Sequence, residues 1–156
     1  MKKKVLFISS TGGHLTELLQ LEPLMKKYDS YLITENTVSN KKLKKKYKNV
    51  FYVIYGTKDY LFSYIPKFII NSIYCFILFL YIRPDVIITT GAHTCVPMCY
   101  IGRILGSKVI YIETFANFET RTLTGILTYP IVNSFYVQWE SMLDLYPKSK
   151  YGGRVY

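Results

Sequence analysis

Two glycine turns, each followed by a histidine, hold the residue types in this sequence that could do chemistry on a ligand. The first glycine loop (residues 10–14) contains Thr11-Gly12-Gly13-His14, and the second (residues 89–94) contains Gly91, His93 and Thr94. Glycine lets the backbone approach a ligand closely, and the free N–H groups at a helix N-terminus attract anions. We therefore expect both loops to contact a phosphate or diphosphate, although a strand-to-helix turn can also need glycine for geometry alone.

Two titratable side chains are candidates for acid–base catalysis. His14 is predicted to lie at a helix N-terminus, where the dipole disfavours a charged imidazole, so a neutral His14 could accept a proton from a hydroxyl. Glu113 follows the predicted strand Lys108–Ile112 and could bind a sugar hydroxyl or assist proton transfer. The structural alternatives are a capping or surface histidine and, for Glu113, a helix N-cap or a partner for an arginine.

Several common nucleotide and metal signatures are absent from the sequence. It contains no GxGxxG, no GxxxxGK[ST] and no Asp-x-Asp, which are the patterns of dinucleotide, P-loop and many manganese sites. The three cysteines are odd in number and form no CxxC, which argues against a disulfide scaffold or a zinc site. We expect no metal and no cofactor, and we expect Cys95 and Cys99 to lie in the core.

The elements that must position these residues alternate between strands and helices. Short β-rich runs predict strands at Val5–Ser9, Tyr31–Thr34, Val50–Tyr55, Asp85–Thr90, Lys108–Ile112 and Ser134–Val137. Helical spacing of apolar residues predicts helices at His14–Lys27, Leu61–Ile82, Cys95–Leu105 and near Trp139–Leu145. This order predicts one α/β domain over residues 1–156, a Rossmann-like parallel sheet with helices on both faces. Since ligands of such sheets bind at the carboxyl ends of the strands, both glycine loops should share one edge.

A long apolar segment, Leu61–Ile82, stands out because Phe68–Ile82 contains no charged residue. A spanning helix needs roughly 20 apolar residues, and a single crossing would leave the two glycine loops on opposite sides of the bilayer. We therefore predict a helix that lies in the membrane interface, with an ordinary buried helix as the alternative. The residues predicted to contact lipid acyl chains are Phe68, Ile69, Phe76 and Phe79.

A basic cluster lies on the N-terminal side of that segment, in a chain whose net charge is +10. Beside an apolar helix, such a cluster favours anionic lipid headgroups, and a solvated loop is the plainer alternative. The apolar run after Lys2–Lys4 is too short for a signal peptide, so we expect the cytoplasmic side of the membrane. The lysines of the cluster are Lys41, Lys42, Lys44, Lys45 and Lys46.

Three segments together resemble a known family: STGGHLTELLQL (10–21), PDVIITTGAHTCVP (84–97) and the stretch at 109–139. They are similar to the acceptor-side, membrane-anchoring subunits of two-chain UDP-sugar glycosyltransferases, the Alg14-like family. The bacterial members of that class are enhancer subunits for capsule and exopolysaccharide β-1,4-glycosyltransferases. More distantly, the order of motifs resembles the N-terminal half of the one-chain transferase that makes peptidoglycan lipid II.

The resemblance implies the N-terminal half of a GT-B glycosyltransferase, at the cytoplasmic face of the plasma membrane. A catalytic partner subunit would hold most of the UDP-sugar donor, and this chain would bind a polyprenyl-diphosphate-sugar acceptor and membrane lipid but no nucleic acid. Carried over by position, the two glycine loops would contact the acceptor and Glu113 would be the acid after the fifth strand. Gln138 and Trp139 match the family's Gln-Trp and would face the partner.

Two other functions remain open from the residues alone. Glu35 ends the second strand, where a ribose-binding acid would lie in an NAD-dependent enzyme, although the missing GxGxxG weighs against that. The lysine cluster would also suit a nucleic-acid-binding module, which gives no role to Phe68–Ile82.

Overall fold

The computed structural model describes residues 2–56 and 61–155, which form a seven-stranded sheet in the order β3-β2-β1-β4-β5-β6-β7. Every pair of neighbouring strands is parallel. The strands are β1 (Lys4–Ser9), β2 (Asp29–Glu35), β3 (Val50–Val53), β4 (Val86–Gly91), β5 (Lys108–Ile112), β6 (Ser134–Val137) and β7 (Lys150–Tyr151). The predicted Rossmann-like parallel sheet is confirmed.

Helices connect the strands. They are α1 (Gly13–Leu19), α2 (Glu22–Lys27), α3 (Leu43–Lys46), α4 (Leu61–Ile82), α5 (Val96–Ile104), α6 (Leu123–Thr128) and α7 (Met142–Leu145). Two short 3₁₀ turns, Asn40–Lys42 and His93–Cys95, precede α3 and α5. Strand order reverses between β1 and β4, which is where ligands of open α/β sheets bind, and each of these two strands runs into a glycine loop.

Three local features differ from the predictions. The helix predicted over His14–Lys27 is two helices, because Pro23 lies in the first turn of α2 and cannot donate the backbone bond that a continuous helix needs. The lysine-rich loop contains α3, since Leu43 turns inward and is buried. The prediction missed α6, whose N-cap Thr122 accepts a hydrogen bond from the Gly125 N–H.

The sheet carries a separate apolar core on each face. One core contains α4 and α5 residues with Leu6, Ile8 and Ile33, and the buried Cys95 and Cys99 belong to it as predicted. The other core contains Leu15 and Leu18 of α1 with Leu43 of α3. The lysine cluster and α4 therefore pack on opposite faces of the sheet, and the segment that leads into the cluster is bonded to the edge strand β3. There the Tyr52 hydroxyl donates to the Asn40 carbonyl at 2.8 Å.

Helix α4 buries one stripe against the sheet and exposes the rest. Five residues at helical spacing form the stripe: Asn71, Cys75, Leu78, Phe79 and Ile82. The exposed apolar residues of α4 are Phe62, Ile65, Ile69, Ile70, Ile73, Phe76, Ile77, Leu80 and Tyr81. The alternative of an ordinary buried helix is therefore wrong. The prediction that Phe79 contacts lipid is also wrong, because this side chain is 5% exposed and fills the core.

Length and composition alone would allow Tyr64–Ile82 to cross a membrane, and 22% of that segment is buried in the protein. However, α4 connects β3 to β4, two strands of one sheet, and its buried stripe packs along that sheet. Asn71 strengthens the attachment, because its side-chain amide bonds both the N–H and the carbonyl of Ile54 at 2.8 Å. A helix held in this way lies along the face of the sheet, and its exposed apolar side chains point away from the sheet.

Candidate functional site

The two glycine loops touch at the carboxyl edge of the sheet. The Ser10 N–H donates to the Gly91 carbonyl at 3.0 Å, and the Ser10 hydroxyl donates to the Thr94 hydroxyl at 2.9 Å. The predicted meeting of the two loops at one edge is thus confirmed, because β1 and β4 are neighbours whose ends face the same way.

The glycines of the two loops serve different purposes. Gly12 has a φ of +81°, which side chains rarely adopt, and a Cβ at Gly12 or Gly13 would meet nothing within 4 Å. At Gly91, with a φ of +95°, a Cβ would lie 3.1 Å from the Tyr111 hydroxyl and 3.3 Å from the His14 ring. The backbone of the first glycine loop is therefore open to a ligand, whereas Gly91 has a strained backbone and lets Tyr111 and His14 pack closely.

His14 bridges the loops, and its contacts define its tautomer. Its Nδ1 lies 2.7 Å from the Thr90 carbonyl oxygen, and the Thr90 hydroxyl donates back to the His14 carbonyl at 2.6 Å. Since a carbonyl can only accept, Nδ1 carries the proton. In the neutral ring, Nε2 is then left as a proton acceptor. The half-buried His14 thus has the form that a general base requires, and its catalytic role stays a prediction.

Glu35, at the end of β2, ties the two loops together. Its Oε2 accepts from the Thr11 N–H at 2.8 Å, and its Oε1 accepts from the Thr94 hydroxyl at 3.0 Å. The Nε2 of His93 lies 3.6 Å from Oε1. At 1% exposure this carboxylate has no room for a ribose, so the interpretation of Glu35 as a cofactor-binding acid is wrong. Sequence reasoning missed its role, although an acid at the end of a strand beside β1 was a usable signal.

Asn40 extends this network to the basic segment. Its side-chain amide donates to the Thr11 hydroxyl at 3.2 Å and to the Glu35 carbonyl at 2.9 Å. Asn40 is also the first residue of the 3₁₀ turn Asn40–Lys42 that leads into α3. The segment that carries the lysine cluster is therefore hydrogen-bonded to the first glycine loop through Asn40.

Glu113 is buried among donors and does not reach the open edge. Its carboxylate, 1% exposed, accepts from the Thr114 N–H at 3.0 Å, the Thr122 hydroxyl at 2.9 Å and the Tyr146 hydroxyl at 3.0 Å. Burial raises the pKa of Glu113, and these hydrogen bonds partly oppose the rise. The structure contradicts the prediction that Glu113 contacts substrate. The alternative of a helix N-cap describes Glu113 better, although its contribution is indirect. Thr122 is the N-cap of α6, and its hydroxyl donates to the Glu113 carboxylate.

Glu17 is a second acid that sequence reasoning missed. Its Oε1 accepts from the Thr114 hydroxyl and the Phe115 N–H, both at 2.9 Å, so it fixes α1 to the loop after β5. Burial raises the pKa of Glu17, and the hydrogen bonds from the Phe115 N–H and the Thr114 hydroxyl oppose that rise. The Glu17 and Glu113 carboxylates thus both accept hydrogen bonds from the segment that starts at Thr114.

The sequence of this chain is similar to those of known proteins over nearly its whole length. The family model described as "Oligosaccharide biosynthesis protein Alg14 like" matches residues 5–155. The chain belongs to the Alg14 family. The mouse UDP-N-acetylglucosamine transferase subunit ALG14 is 30% identical to it over 183 residues, covering 97% of this chain and 82% of the mouse protein. The subunit of the same name from Candida albicans is 40% identical over 97 residues, covering 58% of this chain and 44% of that protein.

Solved structures resemble this Alg14-family chain in fold. MurG from Acinetobacter baumannii superposes with a TM-score of 0.71 at 15% identity, covering 89% of this chain and 42% of MurG. UDP-GlcNAc 2-epimerase from Methanocaldococcus jannaschii gives a TM-score of 0.73 at 17% identity, covering 97% and 45%. The chain therefore spans less than half of each of these proteins and corresponds to the N-terminal half of the GT-B fold.

In the Gln-Trp pair of this Alg14-family member, Gln138 is buried and Trp139 is partly exposed. Gln138 is 2% exposed, donates to the Glu113 carbonyl at 3.0 Å and accepts from the Val155 N–H at 2.9 Å. The prediction that Gln138 faces the partner is wrong, because its amide is used inside the domain. Trp139 is half-buried and stacks on Phe115 with ring centroids 4.5 Å apart. Its contact with a partner stays a prediction.

Cavity size does not locate the site. A cavity of about 560 Å³ lies at the amino edge of the sheet, opposite the glycine loops, and is lined by Lys3, Arg83, Asp85 and Lys108 among others. It contains none of the residues with candidate chemistry. Within residues 2–56 and 61–155, three or more His, Cys, Asp or Glu residues nowhere converge into a group that could hold a metal ion.

Proposed function

We propose that this chain is the acceptor-side subunit of a two-chain UDP-sugar glycosyltransferase that acts on a lipid-linked acceptor. The proposal is supported by its membership of the Alg14 family, whose mouse and Candida members are named as transferase subunits. A single GT-B half has no second domain to close over a sugar nucleotide. The catalytic partner supplies that half, and this chain alone is inactive or weakly active.

The observation that carries the proposal is the position of the open glycine loop relative to the apolar helix. Gly12 and Gly13 offer uncrowded backbone for a diphosphate. The loop that follows β4 joins them at the same edge, and α4, which exposes a continuous apolar surface, packs on this domain. An acceptor with a polar diphosphate-sugar head and a long apolar tail needs both features, whereas a soluble acceptor needs only the first.

The chemistry assigned to this chain is proton removal from the acceptor. As the acceptor hydroxyl oxygen forms a bond to the sugar C1 atom, the bond from C1 to the UDP oxygen breaks. The hydroxyl proton passes to His14 Nε2, and UDP leaves on the partner. Such general-base assistance contributes about 10²–10⁴-fold to a rate.

The membrane attachment follows from α4 and the lysine cluster. The exposed α4 residues, Ile69 and Phe76 among them, enter the interface at the cytoplasmic face of the plasma membrane, and Phe68 lies half-buried beside them. The lysine side chains of the cluster contact anionic headgroups near the β3 edge, although that of Lys46 also pairs with Glu22. In this proposal the protein is peripheral or monotopic, and α4 lies in the interface rather than across the bilayer.

We further propose that the glycan becomes capsule or exopolysaccharide. The support for this is the resemblance of the sequence motifs to bacterial enhancer subunits. The names of the relatives support a UDP-N-acetylglucosamine transferase subunit and no particular polysaccharide.

A division of ligands between the two chains tests the proposal. Each purified chain is photolabelled with an azido-UDP-sugar and, separately, with a photoactivatable polyprenyl diphosphate. We expect the UDP-sugar probe to label the partner and the lipid probe to label this chain. Saturable UDP-sugar labelling of this chain in isolation, without lipid labelling, would overturn the assignment.

A further inference from the structure

A second apolar feature lies beside the second glycine loop. A pocket of about 280 Å³ is bounded by Tyr64 and Phe68 of α4, Val96 of α5, and Leu123 and Leu127 of α6. His93, from the second glycine loop, forms part of the wall, and its ring meets that of Tyr64 edge-on at 5.2 Å. The pocket is thus an apolar cleft among α4, α5 and α6 that reaches the second glycine loop at the carboxyl edge of the sheet.

Both helices that flank this pocket expose further apolar side chains. On α4, Ile65 and Ile69 are 51% and 53% exposed, and on α6, Leu123 and Ile126 are 56% and 49% exposed. The lining that joins the two helices is apolar apart from His93, Thr124 and the Tyr64 hydroxyl. Apolar side chains are therefore available on α4, in the pocket and on α6.

We propose that this pocket holds the first isoprenoid units of the lipid-linked acceptor, and that α6 is part of the membrane-contacting surface. This inference rests on the proposed function, which requires an acceptor with an apolar tail and a diphosphate. The apolar walls accept the tail, and His93 lies where the tail meets the diphosphate, in the loop that bonds Ser10 of the first glycine loop through Gly91 and Thr94. A phospholipid acyl chain would fill the walls equally well but would bring no diphosphate to the glycine loops.

The test compares acceptors that share one diphosphate-sugar head and differ in tail length, using this chain with its catalytic partner. Leu127→Trp narrows the pocket. We expect it to raise KM for a long-tailed acceptor about tenfold, roughly the lost burial of two methylene groups, with the KM of a short-tailed, water-soluble acceptor unchanged. The matched control is Ile104→Trp, an exposed apolar residue at the end of α5 away from the pocket-lining Val96, which should change neither KM.

Equal effects of the two variants at both tail lengths would overturn the pocket assignment while leaving the proposed function intact. Absence of transfer by the wild-type pair would instead count against the proposed function. For that case a benzophenone-tagged geranyl diphosphate is photolysed with this chain alone, and the labelled peptides are mapped. Labelling of α4 and α6 that farnesyl diphosphate suppresses, but phosphatidylglycerol and inorganic diphosphate do not, supports the inference. Labelling that phosphatidylglycerol suppresses equally, or that avoids α6, overturns it.

Discussion

His14 is held by the Thr90 carbonyl in the tautomer that leaves Nε2 free to take a proton. In the presence of the partner, we expect His14→Ala to lower kcat by about 10²–10⁴-fold, the usual contribution of a general base. Acceptor KM should change little, because the glycine loops are left intact. The measurement is sugar transfer in membranes with saturating donor.

A control for this variant is Lys108→Ala, at an exposed position on the amino edge of the sheet, which should transfer at the wild-type rate. If His14→Ala also retained the wild-type rate, the base would have to lie on the partner, and His14 would be reduced to a support for Gly91.

Glu35 provides a second prediction because it satisfies donors from both glycine loops. Glu35→Ala leaves the Thr11 N–H and the Thr94 hydroxyl without their acceptor. Each unsatisfied buried group costs about 1–3 kcal/mol. The free energy of unfolding, measured by urea denaturation, should fall accordingly. Glu119→Ala, at an exposed acid, should lower it by less than about 0.5 kcal/mol. Similar losses in the two variants would show that the hydrogen bonds of Glu35 to Thr11 and Thr94 do not stabilise the fold.

Glu113 yields a prediction about pH. Burial raises its folded pKa above the ordinary 4.5, so the folded protein binds this proton more tightly than the unfolded chain does. The associated stability is fully present below pH 4.5 and is lost as the pH rises through the folded pKa. Glu113→Gln removes that dependence. Its Tm should therefore improve relative to wild type as the pH rises from 4.5 to neutral. A constant difference in Tm across this range would contradict the raised pKa.

At this scale the sequence predicted residue types better than residue roles. The glycine loops and His14 could be found because their residues are contiguous and follow strands. The roles of Glu35 and Glu17 depend on contacts with Thr94 and Phe115, which are 59 and 98 residues away in sequence. No local pattern reports such contacts. Gln138 and Glu113 were misjudged because their side chains, which look available in the sequence, are bonded inside the fold. The Gln138 amide donates to the Glu113 carbonyl, and the Glu113 carboxylate accepts from the Tyr146 hydroxyl among others.

Among the elements, α4 decides whether the protein associates with membranes. Ile69 and Ile73 are 53% and 58% exposed and contribute to the outer surface rather than to the core. We expect the double variant Ile69→Lys and Ile73→Lys to weaken binding to anionic vesicles at least about tenfold, because two apolar anchors are lost. Thermal stability should be nearly unchanged, because both positions face outward.

The matched control is Val38→Lys, at an apolar residue that is 88% exposed but lies in the loop after β2 rather than on α4. It should bind vesicles at least as well as wild type. If the α4 variant still bound vesicles as well as wild type in a flotation assay, α4 would not be the part of the protein that contacts the membrane.

Elements were predictable where one physical signal dominates. The strands are short apolar runs bounded by turn residues, so all six predicted strands occur. The helix over His14–Lys27 was predicted as continuous because its leucine spacing runs through Gln20 and Leu21, whereas Pro23 starts a new helix. For α4, composition alone could not separate a buried helix from an interfacial one. That distinction depends on which stripe the sheet covers, which only the packing of Cys75, Phe79 and Ile82 reveals.

At the scale of the whole molecule, the chain corresponds to one half of the GT-B fold. The superposition takes in 97% of this chain but 45% of the epimerase, and 89% of this chain but 42% of MurG. Its glycine loops, His14 and the exposed apolar surface all lie on this half. If the proposed function is correct, a partner chain supplies the facing half, and we expect sugar transfer to need both chains.

The need for two chains can be measured as sugar transfer to a lipid-linked acceptor. The measurement compares membranes that contain this chain alone, the candidate catalytic partner alone, and both together, with labelled UDP-N-acetylglucosamine and other UDP-sugars. We expect either chain alone to transfer little and the pair to transfer strongly with one donor, a synergy that His14→Ala abolishes. Full activity of the partner alone, unchanged when this chain is added, would show that transfer does not need this chain.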